Sequence, residues 1–398
     1  MPWPTKKLGE ICEKIKAGGT PRRDNLLYWN GNIPFVKIED ITSTRKYITS
    51  TSEKISEEGL NHSNTWLVPA ECILLSIYAS VGEVAINKIP VATNQAILGI
   101  VPDRKIVLTD FLFYALKKFG KNLLQYRIES TQKNVTLEIV KNFPIPLPPL
   151  PIQQKIVFIL DTIQSAIDSQ NKIIETTKEL KKSLMADLFK YGGPSFRKGR
   201  KLKKTEIGEI PENWEVVELG ERYVSEIIMG QSPSSKYYNE NREGLPFLQG
   251  KAEFGEIYPI PIKWCSKPIK ISQQNDILIS VRAPVGDVNL ANQRYCIGRG
   301  LAAIRCGKKI DAKFLFNYLI FGKEKLIKDS SGSTFKAIKK GDLINFKIPL
   351  PPLPEQREIA DILQTIDQKI EIEQKKKALY EELFKTMLNK LMNGEIDV

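Results

Sequence analysis

Hydrophobic residues fall into a heptad pattern twice along this chain, each time just after a proline-rich segment. Following Ile145–Pro151 (IPLPPLP), the apolar positions are Ile156, Leu160, Ile163, Ile167, Ile174, Leu184 and Leu188. Following Ile348–Pro354 they are Ile359, Leu363, Ile366, Ile370, Tyr380, Phe384, Met387 and Leu391. Such spacing predicts two long helices, each carrying an a/d seam. Proline fixes φ and lacks the N–H, so the segments before the helices read as rigid extended stops. The same placement in both copies favours a joint over a polyproline ligand.

The two blocks are copies. NFPIPLPPLPIQQKIVFILDTIQSAI begins at Asn142 and NFKIPLPPLPEQREIADILQTIDQKI at Asn345, an offset of 203 residues (345 minus 142). That is a whole number of heptads, so the seams keep register, with polar breaks at Gln170 and Glu373. Upstream, FLFYALKKFG at Phe111 pairs with FLFNYLIFGK at Phe314, and ILLSIYASVGEV at Ile73 with ILISVRAPVGDV at Ile277. Trp3 with Leu8-Gly9-Glu10 answers to Trp214 with Leu219-Gly220-Glu221, and Pro34-Phe35-Val36 to Pro246-Phe247-Leu248. Each half is a domain followed by one helix. The expected boundaries are 1–149 for the first domain, 150–190 for its helix, 191–206 for a basic linker, 207–352 for the second domain and 353–394 for its helix. Two lone seams in one chain pack most simply on each other, and the linker after Phe189 leads directly into the second domain, which favours the antiparallel pairing. The expected fold is α+β: two recognition domains joined by two long helices in an antiparallel coiled coil, with pseudo-two-fold symmetry.

Charge adds the partner. Lys and Arg number 59 against 46 Asp and Glu among 398 residues, a net +13 that favours a polyanion. No apolar run is long enough to span a membrane and the N-terminus lacks a secretory apolar core, so a cytoplasmic protein is expected. The cysteines, Cys12, Cys72, Cys265, Cys296 and Cys306, have no C-x-x-C spacing, and His62 is the one histidine. No metal, cofactor or catalytic residue is expected. An adenine methyltransferase needs an F-x-G-x-G loop and an [DN]-P-P-[YF] motif, and a motor needs G-x-x-x-x-G-K-[ST]; the chain has none of these. His62 reads as a solvated loop residue.

The doubled IPLPPLPxQ block, the KKTEIGEIPENW stretch from Lys203 to Trp214, GGTP at Gly18–Pro21 and the terminal LMNGEIDV resemble the specificity subunits of type I restriction-modification systems. The resemblance covers essentially the whole chain, and its duplicated block is its specific part. It implies a non-catalytic subunit with two target-recognition domains. The implied partners are double-stranded DNA, two modification subunits that methylate adenine, and restriction subunits that cut DNA using ATP. Two similar but unequal heads imply a bipartite, asymmetric target, with the helices setting the gap and docking the modification subunits. Exposed helix faces and the ends near Phe189 and Leu391 are the docking candidates. The rival readings are a stand-alone two-site DNA-binding regulator and an interaction scaffold without nucleic acid.

DNA readers should lie on polar loops between matching strands. In the first domain these are Arg22 and Arg23 after GGTP, Lys37 after the PFV strand, Tyr78, and Gln132, Lys133 and Asn134. In the second they are Lys236, Tyr237, Gln249, Arg282, Thr334 and Lys336. The basic stretch Arg197–Lys204 is open to two readings, a phosphate contact or a flexible tether.

Overall fold

The computed structural model describes residues 3–126, 135–330 and 337–398. It divides into two compact units, residues 1–171 with 375–398, and residues 172–374. Each unit holds one globular head, part of the first long helix (Leu150–Tyr191) and part of the second (Leu353–Met392).

In unit 1 a sheet runs in the order Cys12–Ala17, Ile97–Pro102, Cys72–Ser76, Val84–Asn87, Tyr47–Ile48. The central strand, CILLS, is wholly buried because the sheet is covered on both faces, which explains its continuous apolar run. A smaller sheet pairs Glu53–Ile55 and Ala92–Thr93 with Trp29–Val36. Helix Thr109–Phe119 packs Phe111, Leu112, Phe113 and Tyr114 into the core.

Unit 2 repeats the plan. Ser225–Met229, Leu301–Cys306, Ile277–Ser280 and Val288–Leu290 form the equivalent sheet, and helix Ala312–Phe321 covers it. The register is the same: Ile73 faces Ile86 and Ile100, while Ile277 faces Leu290 and Ile304. Both strands then turn through a glycine with positive φ, Gly82 at +87° and Gly286 at +83°, a conformation that favours glycine.

The proline-rich joints form short strands against each half's N-terminal segment. Pro144–Pro146 pairs with Thr5–Lys7, and Lys347–Leu350 with Glu215–Glu218. Pro151 and Pro354 fall in the first turn of their helices, where the missing N–H costs no helical hydrogen bond.

Within each unit the start of one helix packs against the end of the other, so the pairing is antiparallel. In unit 1, Ile156 and Leu160 share a core with Leu388, Leu391 and Met392. In unit 2, Met185, Leu188 and Phe189 share one with Ile359, Ala360 and Leu363, and Lys181 pairs with Asp367 at 2.6 Å. Of the heptad residues, Ile156, Leu160, Ile167, Ile174, Leu188, Ile359, Leu363, Ile370 and Leu391 are buried, Ile163, Leu184, Ile366, Phe384 and Met387 are half-buried, and Tyr380 is exposed. Gln170 and Glu373 are buried in the seam, and Glu373 is paired with Lys369.

The stretch after the first helix is built in, which decides against a flexible tether. Arg197 bonds Asp187 and the Gly192 carbonyl. Arg200 forms a two-point bond with Glu355, whose buried carboxylate also accepts from Trp214 Nε1 (3.0 Å) and Gly193 N (3.1 Å). Leu202–Thr205 then makes a hairpin with Gly208–Pro211.

Candidate nucleic-acid interface

In the first head three loops are tied together beside the GGTP turn. Gly18 N donates to Ile97 O (3.1 Å) and Gly19 N to Thr93 O (2.9 Å). A Cβ on Gly18 would lie 2.1 Å from Thr93 O, and one on Gly19 2.8 Å from Thr65 N, so both glycines are required by close approach. Thr20 Oγ1 donates to Gln95 Oε1 (2.6 Å), and Ile77 N to Ala96 O (2.9 Å), which sets half-buried Tyr78 beside the same loop.

The second head builds the same junction from different residues. Gly230 N donates to Leu301 O (2.9 Å) and Gln231 N to Ile297 O (3.0 Å). Arg299 N donates to Ser232 Oγ (3.1 Å), and Val281 N to Gly300 O (2.9 Å). Gly298 N and Gly300 N bond Leu248 O and Gln249 O. Gln249 and Arg282 are thereby brought together around exposed Arg299.

The heads differ in electrostatics. In the first, carboxylates already engage the cations. Arg22 pairs with Asp24 at 2.8 Å, both exposed. Arg23 and Lys37 converge on Glu53 at 2.8 and 2.9 Å, and the Arg23 guanidinium lies 3.8 Å over the Trp29 ring. Burial alone would raise the Glu53 carboxyl; the Lys37 and Arg23 hydrogen bonds outweigh it and hold it below its ordinary range. In the second head, Lys236 and Lys267 flank the Tyr237 ring at 5.1 Å each. Among the described residues, Lys236, Lys267, Arg282 and Arg299 form no ion pair with a carboxylate. Stacking-capable aromatics beside uncompensated cations suit a nucleic acid strand.

The chain matches the family described as the type I restriction modification DNA specificity domain over residues 1–179 and again over 211–382. It belongs to the type I specificity-subunit family. Relatives agree along its length. A chain assigned as the type I restriction enzyme MjaX specificity subunit of Methanocaldococcus jannaschii is 41% identical, covering 100% of this chain and 94% of that one. The MjaVIII specificity subunit of the same organism is 30% identical over 98% and 94%. Among solved structures, a chain from work on complex assembly and conformational transition of the type I R-M system aligns with TM-score 0.67 and 30% identity, covering 99% and 98%. The HsdS subunit of Thermoanaerobacter tengcongensis aligns with TM-score 0.51 and 30% identity, covering 99% and 97%. These relatives set aside the stand-alone regulator.

In this specificity subunit the groups that could do chemistry have structural surroundings. Burial pushes the Cys12, Cys296 and Cys306 thiols up to about 12 and Cys72 to about 11, far from thiolate reactivity at neutral pH. His62 is exposed, as a loop histidine should be, but it is also engaged: its ring stacks on Tyr28 at 5.6 Å and its Nδ1 lies 2.9 Å from Glu58 O. Among the described residues, no helix is long and apolar enough to cross a membrane.

The expected readers thus separate. Arg23 and Lys37 meet at Glu53 while Arg22 is held by Asp24; Tyr78 lies by the Gln95 loop; Gln249 and Arg282 meet at Arg299; Lys236 and Tyr237 share a turn, with Lys267 beside the Tyr237 ring. Gln132, Lys133, Asn134, Thr334 and Lys336 lie outside the described residues. Gln95 and Arg299 went unread in the sequence. Their signal was a long polar side chain breaking an apolar run at equivalent places, Gln95 in ATNQAILGIV against Arg299 in CIGRGLAAIR, at the 204-residue offset of the neighbouring strands. Phe189 and Leu391, which mark the helix ends expected to dock partners, are themselves buried, each in its own unit's core.

Proposed function

We propose that this specificity subunit reads a split, asymmetric DNA target, one half-site per head, and does no chemistry itself. The observation that carries the reading is the shared loop junction: one backbone arrangement appears in both heads while the exposed side chains on it differ. Equivalent frames with unequal side chains suit two different half-sites. The heads are 1–149 and 207–352, with 191–206 as the connection and the helices of 150–190 and 353–394 as spacer. The helices set the gap and carry two modification subunits that methylate adenine, with restriction subunits joining the assembly in the cytoplasm.

Arg22, Arg23, Lys37, Tyr78, Gln132, Lys133 and Asn134 serve the first half-site. Lys236, Tyr237, Gln249, Arg282, Thr334 and Lys336 serve the second, with Gln95 and Arg299 added by the geometry. The test is to express the chain with its modification subunits and map methylated adenines genome-wide. A split asymmetric motif with one modified adenine on each strand supports the reading. No motif, or a continuous palindrome, overturns it.

A further inference from the structure

The most exposed large apolar side chains of the first head are two neighbours, Leu26 at 80% and Leu27 at 70% exposure. They sit on a single helical turn, Leu26–Tyr28, separated from Arg22 and Arg23 by Asp24 and Asn25. Leaving two leucines in water forfeits burial energy, so an unused pair at a loop tip has a cost without a return in the isolated fold.

The tip is held firmly. Leu27 N donates to Asn25 Oδ1 (3.1 Å), Leu27 O accepts from Ser56 Oγ (2.6 Å), and Tyr28 N donates to Asn25 O (3.2 Å). Ser56 N bonds Tyr28 O (3.0 Å), and Trp29 Nε1 bonds Arg22 O (3.1 Å). The backbone therefore displays the leucines in a defined place, beside the two arginines and exposed Lys54.

The second head has the same turn at Ser235–Tyr237. Tyr237 N donates to Ser234 O (3.0 Å), and Tyr238 stacks on Phe247 where Trp29 meets Phe35 edge-on. Leu26 and Leu27 thus correspond to Ser235 and Lys236. One frame carries an apolar pair in one head and a hydroxyl with a cation in the other.

A duplex offers one apolar feature on its base edges in the major groove, the 5-methyl group of thymine. We propose that the Leu26–Leu27 tip is a base-reading element of the first head and takes a thymine methyl in the half-site which that head reads. This rests on the reading of the heads as DNA readers. Arg22 and Arg23 are held by Asp24 and Glu53, so exposed Lys54 supplies the phosphate contact while the leucines cover the methyl.

The experiment uses the full subunit with its modification subunits, and duplexes carrying the mapped motif. Each thymine of the first half-site is replaced singly by deoxyuridine, which deletes only the methyl. Wild-type binding should weaken about fourfold at one position, the value of one buried methyl. The L26A/L27A double variant should bind the thymine and uracil duplexes alike, with the second half-site still read. Equal wild-type binding to every uracil duplex overturns the proposal, as does thymine discrimination that survives in the double variant, or a first half-site without an A·T pair. A variant that loses affinity for all duplexes equally, with no uracil effect, marks the tip as a wedge between base steps and also overturns it. Failure of the DNA-reading function is distinguishable, because no first half-site would then appear in the methylation map.

Discussion

Gln153 and Gln356 hold equivalent backbone groups in the two halves. Gln153 accepts from Leu108 N (2.9 Å) and donates to Ile106 O (3.1 Å) and Pro148 O (2.8 Å). Gln356 accepts from Asp311 N (2.7 Å) and donates to Lys309 O (2.9 Å) and Pro351 O (2.8 Å). Both are fully buried. The glutamine of the repeated PLPxQ block is thus the fastener between head and helix, and it explains why proline stop and helix start travel together.

Replacing either glutamine by alanine removes the partner of one amide and two carbonyls, of which the proline carbonyl is buried, at a cost of about 1–3 kcal/mol. Hydrogen exchange should show lost protection at 106–119 for Gln153→Ala and at 309–321 for Gln356→Ala, each confined to its own head. Loss spread equally over both heads would contradict the separate fasteners.

Arg299 and Arg282 meet at one junction without carboxylate partners among the described residues, so their charge is available to DNA. Arg299→Ala should weaken specific binding by about 1–3 kcal/mol if it contacts a base, or lower the salt slope by about one if it contacts phosphate. The methylation motif should relax only in the second half-site. Relaxation in the first would reverse the assignment of heads.

Glu53 holds Arg23 and Lys37. Glu53→Gln removes the shared charge and frees two cations at once. Non-specific DNA binding in titrations at low salt should tighten, with a steeper dependence on salt concentration. Unchanged binding would show that neither cation reaches the backbone.

Acid should loosen the first head through Asp110. Lys46 is buried between Asp110 at 2.8 Å and Asp161 at 2.5 Å, and the Tyr114 hydroxyl also bonds Asp161. Burial alone would raise the Asp110 carboxyl, but Lys46 outweighs it and holds it below its ordinary range. A carboxyl lowered on folding contributes stability above its unfolded value, roughly 3.9, and loses it as pH falls through the folded value. The protection of amides 109–119 from hydrogen exchange, taken relative to their intrinsic rate at each pH, should therefore fall below about pH 4. In Asp110→Asn that acid dependence should be flattened.

Periodicity and self-similarity made much of this architecture legible. Heptads predict helices because an a/d stripe has one stable use, and the repeated block predicts two similar halves because like sequences bury like faces. The paired apolar strands at Ile73 and Ile277 were readable for the same reason. Side-chain partnership was not. The convergence of Arg23 and Lys37 on Glu53 joins residues distant in the chain, and the fastening of Arg200 by Glu355 joins residues 155 positions apart. Gln95 and Arg299 become neighbours of the GGTP-type turns only once Gly18 and Gly230 approach those loops closely enough to exclude a Cβ. By itself the sequence determined the repeat, the helices and their register, since these depend on local periodicity. Only the tertiary structure decided which cations stay available for DNA, because an ion pair depends on where two distant side chains come to rest.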